Sequence, residues 1–361
     1  MLARRAVAVI VSILTTVTIP HLVPPKAYGL ATMSAVIFSL AEMFKDFGLT
    51  SALLRKGHVE QEEINFLFWF NLFTTALLTL VIAALAPAAG GFFREPVVTW
   101  VIWTSLIGFV AGGVALQHRA LMSRELMFHQ IAVVDTAALV AQFVITLAAA
   151  LIWHSVWAIV GGNIANAVIG AALNIAISRW RPARPRFIPG AKEIFQFGAN
   201  TSVYSLAVFI STNAMSVLIG RFVNSAALGQ YNRANAILAL PLSNAVEPIA
   251  QATLPVLARL RPSPERYRAT YLEFLARLHL IVAPAAVLLG LAGQELVKAV
   301  LGARWAEAGL LLQCLSPVVG CLGFGYAVGD LFISQNRAAE LRTIGLFEAV
   351  LRVSAAAIGL R

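Results

Sequence analysis

Eleven long apolar stretches occupy most of this chain, and no other feature narrows its possible folds as far. They can be drawn roughly at 6–23, 29–52, 65–87, 97–117, 130–153, 155–177, 197–220, 227–257, 271–292, 306–333 and 340–360. Most reach the roughly 20 residues that an α-helix needs to cross a hydrocarbon layer of about 30 Å. Mean hydropathy is +0.80 and only 12% of residues are charged, against about 25% in soluble domains. In lipid each segment must satisfy its own backbone hydrogen bonds, which a helix does and an open strand does not. The expected fold is therefore all-α and polytopic, with about 11 transmembrane helices.

The charges between the stretches set an orientation. Arg4, Arg5, Arg55, Lys56, Arg119, Arg124, the run 179–192, the run 259–277, Arg337 and Arg342 fall before the first span or after even-numbered ones. Together these connections hold 18 of the 27 Lys and Arg residues. Basic connections stay on the cytoplasmic side, so the N-terminus and the even-numbered loops are expected there. The net charge of +10 is thus a topological signal, and nucleic acid is not an expected partner. The first stretch lacks a small-residue cleavage site before His21-Leu22-Val23-Pro24-Pro25 and reads as a retained helix.

Ser178-Arg-Trp-Arg-Pro-Ala-Arg-Pro-Arg-Phe-Ile-Pro-Gly-Ala-Lys192 is short, basic and proline-rich. It divides the chain into a six-helix lobe at 1–178, a cytoplasmic linker at 179–196 and a second lobe at 197–361. A shift of 200 residues lays Gly29 on Gly229, Ile19 on Ile219 and Val23 on Val223. Such repeats are common in transporters whose halves rock about a midplane site. Eleven spans make six plus five, so the second lobe is expected to be incomplete at its C-terminal end.

Ionisable and amide groups inside spans are costly in lipid and point to cavities or to one another. Glu42 and Lys45, spaced i,i+3, can pair, which leaves Asp46 as a surplus anion; alternatively all three are wet near the interface. Asp135, Gln142 and Thr146 form one stripe on the fifth span, suited to a cavity wall or to contact with a neighbouring helix. On the eighth span, Pro241, Pro248 and Pro255 recur every seven residues beside Asn244, Glu247 and Gln251. A helix bent at its prolines could border a hydrated cavity there. At its entry Tyr231, Asn232 and Arg233 offer groups for sugar hydroxyls or phosphate. Asn200 and Tyr204 make the seventh span polar as well. Gly108 and Gly112 form a GxxxG pattern for close helix packing. The six histidines show no metal-ligand spacing, and no nucleotide loop or serine-hydrolase elbow is present. No catalytic residue, metal or cofactor is expected.

Several short motifs, in order along the chain, resemble those of the Wzx-type polysaccharide transporters. They are Pro25-Lys-Ala-Tyr-Gly-Leu30, Asp46-Phe-Gly-Leu49 with Ala52, Leu67-Phe-Trp-Phe-Asn71, Gly229-Gln-Tyr-Asn-Arg-Ala234 with Leu240-Pro241, and Leu301-Gly-Ala-Arg-Trp305. That family belongs to the multidrug/oligosaccharidyl-lipid/polysaccharide exporter superfamily. The resemblance implies two lobes of helices around a cavity in the bacterial inner membrane. It implies flipping of an undecaprenyl-diphosphate-linked oligosaccharide by alternating access, for exopolysaccharide, capsule or O-antigen assembly. Implied partners are that lipid-linked glycan, membrane lipids, a coupling proton or Na+, and a polysaccharide polymerase with its glycosyltransferases. On this reading Asp46, Asp135 and Glu247 are candidate cavity or ion-coupling carboxylates, and Arg221 and Arg233 candidate anion contacts. A drug or metabolite antiporter of the same superfamily would favour carboxylates and aromatics over arginine. A membrane-embedded glycosyl or acyl transferase would need an interfacial acidic or histidine motif, and none is found.

Overall fold

The computed structural model describes residues 2–46, 61–183, 212–241 and 246–335, with isolated positions at 206–210 and 337–355. Every regular element among the described residues is helical. In order they are α1 (Leu2–Leu22), α2 (Pro25–Asp46), α3 (Gln61–Phe93), α4 (Val97–Arg124), α5 (Phe128–Trp153) and α6 (Val156–Ser178). There follow α7 (Ser225–Pro241), α8 (Glu247–Leu260), α9 (Pro264–Leu301), a 3-10 turn (Ala303–Trp305) and α10 (Ala306–Ser334). Residues 212–222 are also helical. Six described helices are long and apolar enough to cross a membrane. The chain divides into two compact units, Met1–Leu228 and Gly229–Arg361.

In the first unit, short described turns join α1 to α2 and each of α3, α4 and α5 to the helix that follows it. Pro25 opens α2, where its missing N–H costs nothing. Arg94, Leu126 and His154 carry the chain out of α3, α4 and α5 in the left-handed region, with φ of 56°, 56° and 48°. Neighbouring amides close the orphaned carbonyls: Met127 N–H donates to Met122 O at 2.9 Å, and His154 N–H to Ala150 O at 3.2 Å.

Small residues let these helices approach closely. A Cβ placed on Gly113 of α4 would lie 2.4 Å from Thr75 Oγ1 of α3, and one on Gly162 of α6 would lie 1.8 Å from Thr146 Oγ1 of α5. The expected GxxxG pair divides its work. Gly108 meets Ala167 of α6, whereas Gly112 leaves room for the Lys45 ammonium of α2. Thr146 is buried, and the amide of Gln142 donates to Asn163 Oδ1 at 2.8 Å. That stripe therefore serves the α5–α6 contact, and only Asp135, farther from the turn joining those helices, reaches a cavity.

The basic segment after α6 begins as part of this unit. Arg179 takes φ of 53°, and the chain then folds along α3. Trp69 Nε1 donates to Ala183 O at 2.8 Å, and Ala183 N–H donates to Asn65 Oδ1 at 3.2 Å. The Trp180 ring stands edge-on to Phe68 and His118, with centroids 5.5 and 5.2 Å apart. Beneath it lie Ile64, Leu67, Ala120 and Leu121. Replacing Trp180 with alanine is expected to destabilise the protein by about 2 kcal/mol, below the value for a fully buried tryptophan because the ring is half-buried. A thermal melt in detergent, compared with wild type, measures it.

In the second unit, α7 is braced against the turn before α10. Gln230 Nε2 donates to Arg304 O at 2.8 Å, and its Oε1 accepts from Ala308 N–H at 3.0 Å. Trp305 is fully buried, and the Arg233 guanidinium lies 5.6 Å from its ring centre. The α9–α10 pair is tied by Tyr267 Oη to Ser334 Oγ at 2.7 Å and by Tyr271 Oη to Ala327 O at 3.2 Å. The single bent helix expected at 227–257 is described as two, α7 and α8, on either side of 242–245, which lie outside the described residues. Its three prolines differ in role: Pro241 ends α7, Pro248 sits in the first turn of α8 where proline is tolerated, and Pro255 is internal. The ninth span is also longer than its apolar run, since α9 covers 38 residues.

Candidate functional site

A cavity of about 900 Å³ opens inside the first unit, lined by α1, α2, α4, α5 and α6. Local spacing explains which groups reach it. Arg119 is five residues from the end of α4 and Asp135 seven residues into α5, so the hairpin sets them level. The guanidinium holds the carboxylate with both nitrogens, Nη1 to Oδ1 at 2.6 Å and Nη2 to Oδ2 at 2.9 Å. This bidentate fork fixes geometry as well as charge.

Lys45 enters from α2. Its side chain is 4% exposed, its ammonium lies 2.5 Å from Glu42 Oε1, and the Phe109 ring centre is 4.6 Å away. One carboxylate and one aromatic face are a thin set of partners for a buried ammonium. Glu42 itself is 51% exposed. The i,i+3 pair foreseen from sequence is present, but Lys45 is not the wet interfacial charge of the alternative reading.

The opposite wall is α6. Asn166, Gly170 and Asn174 recur every four residues and so share one helix face. Asn166 Nδ2 donates to Gln142 Oε1 at 3.1 Å, and Asn174 Nδ2 to Gly170 O at 2.8 Å. The buried Asn174 Oδ1 has no hydrogen-bond partner among the described residues, which leaves one acceptor unsatisfied in the cavity wall. The cavity thus offers two cations already matched by two carboxylates, together with amides. Among the described residues no group of three metal-ligating side chains occurs. The arrangement is suited to binding by exchange of partners.

The other residues singled out from sequence lie elsewhere. Asp46 ends α2, with its side chain outside the described set. Asn200, Tyr204 and Asn244 are outside it altogether, as are the side chains of Glu247 and Gln251 in α8. Arg221 lies over Phe92 and Phe222, with ring centres 5.5 and 5.7 Å away. It therefore stands at the end of the α3–α4 hairpin opposite Arg119. Tyr231, Asn232 and Arg233 are on α7, in the second unit. Lys45 was picked out from sequence only as the partner of Glu42, and Arg119, Asn166 and Asn174 were not picked out as cavity residues. The signal for Arg119 was available, as a cation and an anion about two turns to either side of one short connection.

The family described as polysaccharide biosynthesis protein matches residues 19–309. The chain belongs to that family. Lipopolysaccharide biosynthesis protein WzxC of Escherichia coli is 26% identical over 92% of this chain and 68% of its own length. Teichuronic acid biosynthesis protein TuaB of Bacillus subtilis is 24% identical over 78% of this chain and 59% of its own. This chain is therefore shorter than either relative. Two solved transporter structures share the fold. The lipid II flippase MurJ in an inward closed conformation has a TM-score of 0.70 at 11% identity, covering 98% of this chain and 84% of that one. An inward-facing multidrug transporter of the superfamily named from the sequence motifs has a TM-score of 0.69 at 15% identity, covering 95% and 84%. The family member is thus a multi-pass helical membrane protein with a transporter fold.

Proposed function

We propose that this protein moves an undecaprenyl-diphosphate-linked oligosaccharide across the bacterial inner membrane, for exopolysaccharide, capsule or O-antigen assembly. The observation that carries this reading is the pair of cations, Lys45 and Arg119, in a membrane-embedded cavity with amide groups. A diphosphate can replace Asp135 on the Arg119 fork, since both anions offer paired oxygens to the same donors. Lys45 supplies a second positive charge, and Asn166 and Asn174 supply hydrogen bonds for sugar hydroxyls. A cationic drug would find each carboxylate already occupied.

The cavity lies toward the helix ends that carry Arg119 and Arg124, the basic and therefore cytoplasmic side. Substrate enters there, and alternating access of the two lobes delivers it outward. Displacement of Asp135 from Arg119 leaves a carboxylate able to take up a coupling proton or Na+. A polymerase and its glycosyltransferases are the expected partners of such a step.

Reconstituting the full-length protein with a lipid-linked oligosaccharide, and following glycan access to a lectin outside the vesicle, tests the reading. No protein-dependent movement between leaflets would overturn it. Arg119→Ala is expected to lower the initial rate about tenfold, the effect of one lost charge-assisted contact. The exchanged pair R119D/D135R should recover part of that rate. A swap no better than the single change would remove the pair from the site.

A further inference from the structure

A second concentration of charge stands at the tip of the α8–α9 hairpin, in the second unit. Arg259, Arg261, Arg266 and Arg268 are all exposed there, with Glu265 among them, so four cations less one anion leave a net +3. The tip is firmly held. Leu257 and Leu278 are fully buried, Phe274 is 3% exposed, and Tyr267 and Tyr271 are hydrogen-bonded to α10.

The charges of α9 also show how far the tip reaches. Glu273 pairs with Arg277 at 2.5 Å near one end, and Glu295 with Lys298 at 3.1 Å near the other. Residues 278–294 between them carry no Asp, Glu, Lys or Arg. At 1.5 Å per residue, the rise from Arg277 to Glu295 is about 27 Å, close to the hydrocarbon thickness of about 30 Å. Arg277 therefore marks the membrane edge. Arg268 and Arg266 lie about 14 and 17 Å beyond it along the helix. The headgroup layer accounts for only about 5–8 Å on each side. The four arginines thus project past the lipid headgroups into water.

We propose that this tip is a docking surface for a soluble protein that presents clustered carboxylates at the cytoplasmic face. Its height takes it past the headgroup layer, where the pull of anionic lipid is screened over about 8 Å, and its rigid base pre-positions the charges. All four cations are arginine, whose planar fork matches carboxylates two bonds at a time. Such a surface steers an acidic partner to the transporter and fixes its approach. The proposal does not depend on which substrate is carried.

The test uses the full-length protein in nanodiscs of phosphatidylcholine alone, with a fluorescent poly-glutamate peptide as probe and anisotropy as readout. Wild type should bind the peptide, and R259Q/R261Q/R266Q/R268Q should weaken binding about tenfold or more, as expected for several lost charge pairs. Arg277→Gln should leave binding unchanged, because Arg277 is already paired and lies at the membrane edge. A thermal melt of each variant checks that the hairpin is still packed. Equal binding by the quadruple variant and wild type would overturn the proposal. Loss of peptide binding when phosphatidylglycerol is added to the disc would also overturn it, by placing the tip on lipid. Tighter binding of an RNA oligonucleotide than of the peptide would overturn it in favour of nucleic acid.

Discussion

Lys45→Met is expected to reduce transport of the lipid-linked substrate about tenfold or more while leaving the protein folded. The two halves of this expectation have separate causes. Methionine has nearly the volume of the lysine side chain and removes the cost of holding an ammonium in an apolar wall, so the substitution need not destabilise. Glu42, the partner left behind, is half-exposed and can be solvated. What disappears is the innermost positive charge of the cavity, beside Phe109 and Gly112. A diphosphate entering that space would then meet Arg119 alone. Loss of one charge-assisted contact is worth about 1.5–3 kcal/mol, and about 1.4 kcal/mol corresponds to tenfold in affinity. The measurement is the initial flipping rate in vesicles, with a melt in detergent for folding. Lys45→Arg should keep a substantial part of the rate, because the charge remains. If the methionine variant transports like wild type, Lys45 does not touch the substrate.

The apolar stretches were legible because hydropathy alone decides which segments can lie in lipid, and α5 and α6 end within two residues of their expected limits. Charged helix ends were harder to read. Arg119 looked like a loop residue because it follows an apolar run, yet α4 continues through it to Arg124. The first two turns of α9 were missed for a similar reason: Tyr267 is buried among arginines and a glutamate that resemble a solvated connection.

The Glu42–Lys45 pair was visible as i,i+3 spacing. Its burial was not, since that depends on Phe109 and Gly112, more than sixty residues away in sequence. Asp135 was found because a lone carboxylate in a span is conspicuous. Asn166 and Asn174 were not, since isolated asparagines in an apolar helix look like packing until a cavity is placed beside them. Sequence thus located the charged positions, while tertiary contacts decided which of them share a cavity.

Gly29→Ala should give a large loss of stability, about 3 kcal/mol, at the upper end of ordinary overpacking costs. Gly29 lies in the second turn of α2, and a Cβ there would stand 1.6 Å from Ser225 O, 2.5 Å from its carbonyl carbon and 3.0 Å from its Cα. All three atoms are backbone, so no side chain can rotate away. Relief requires α2 and the start of α7 to move apart by more than an ångström. Ser225 Oγ donates to Glu95 at 2.7 Å, and Lys26 lies 3.6 Å from the same carboxylate, so separation strains a connected polar cluster as well. The comparison that isolates this cause is Gly91→Ala. Gly91 is also helical, but a Cβ on it meets nothing within 4 Å. There the change should be neutral or stabilise by about 0.5–1 kcal/mol, through the better helix propensity of alanine. Thermal unfolding of both variants in the same detergent decides the matter. Equal midpoints would show that the close approach of α2 to Ser225 does not hold this unit together.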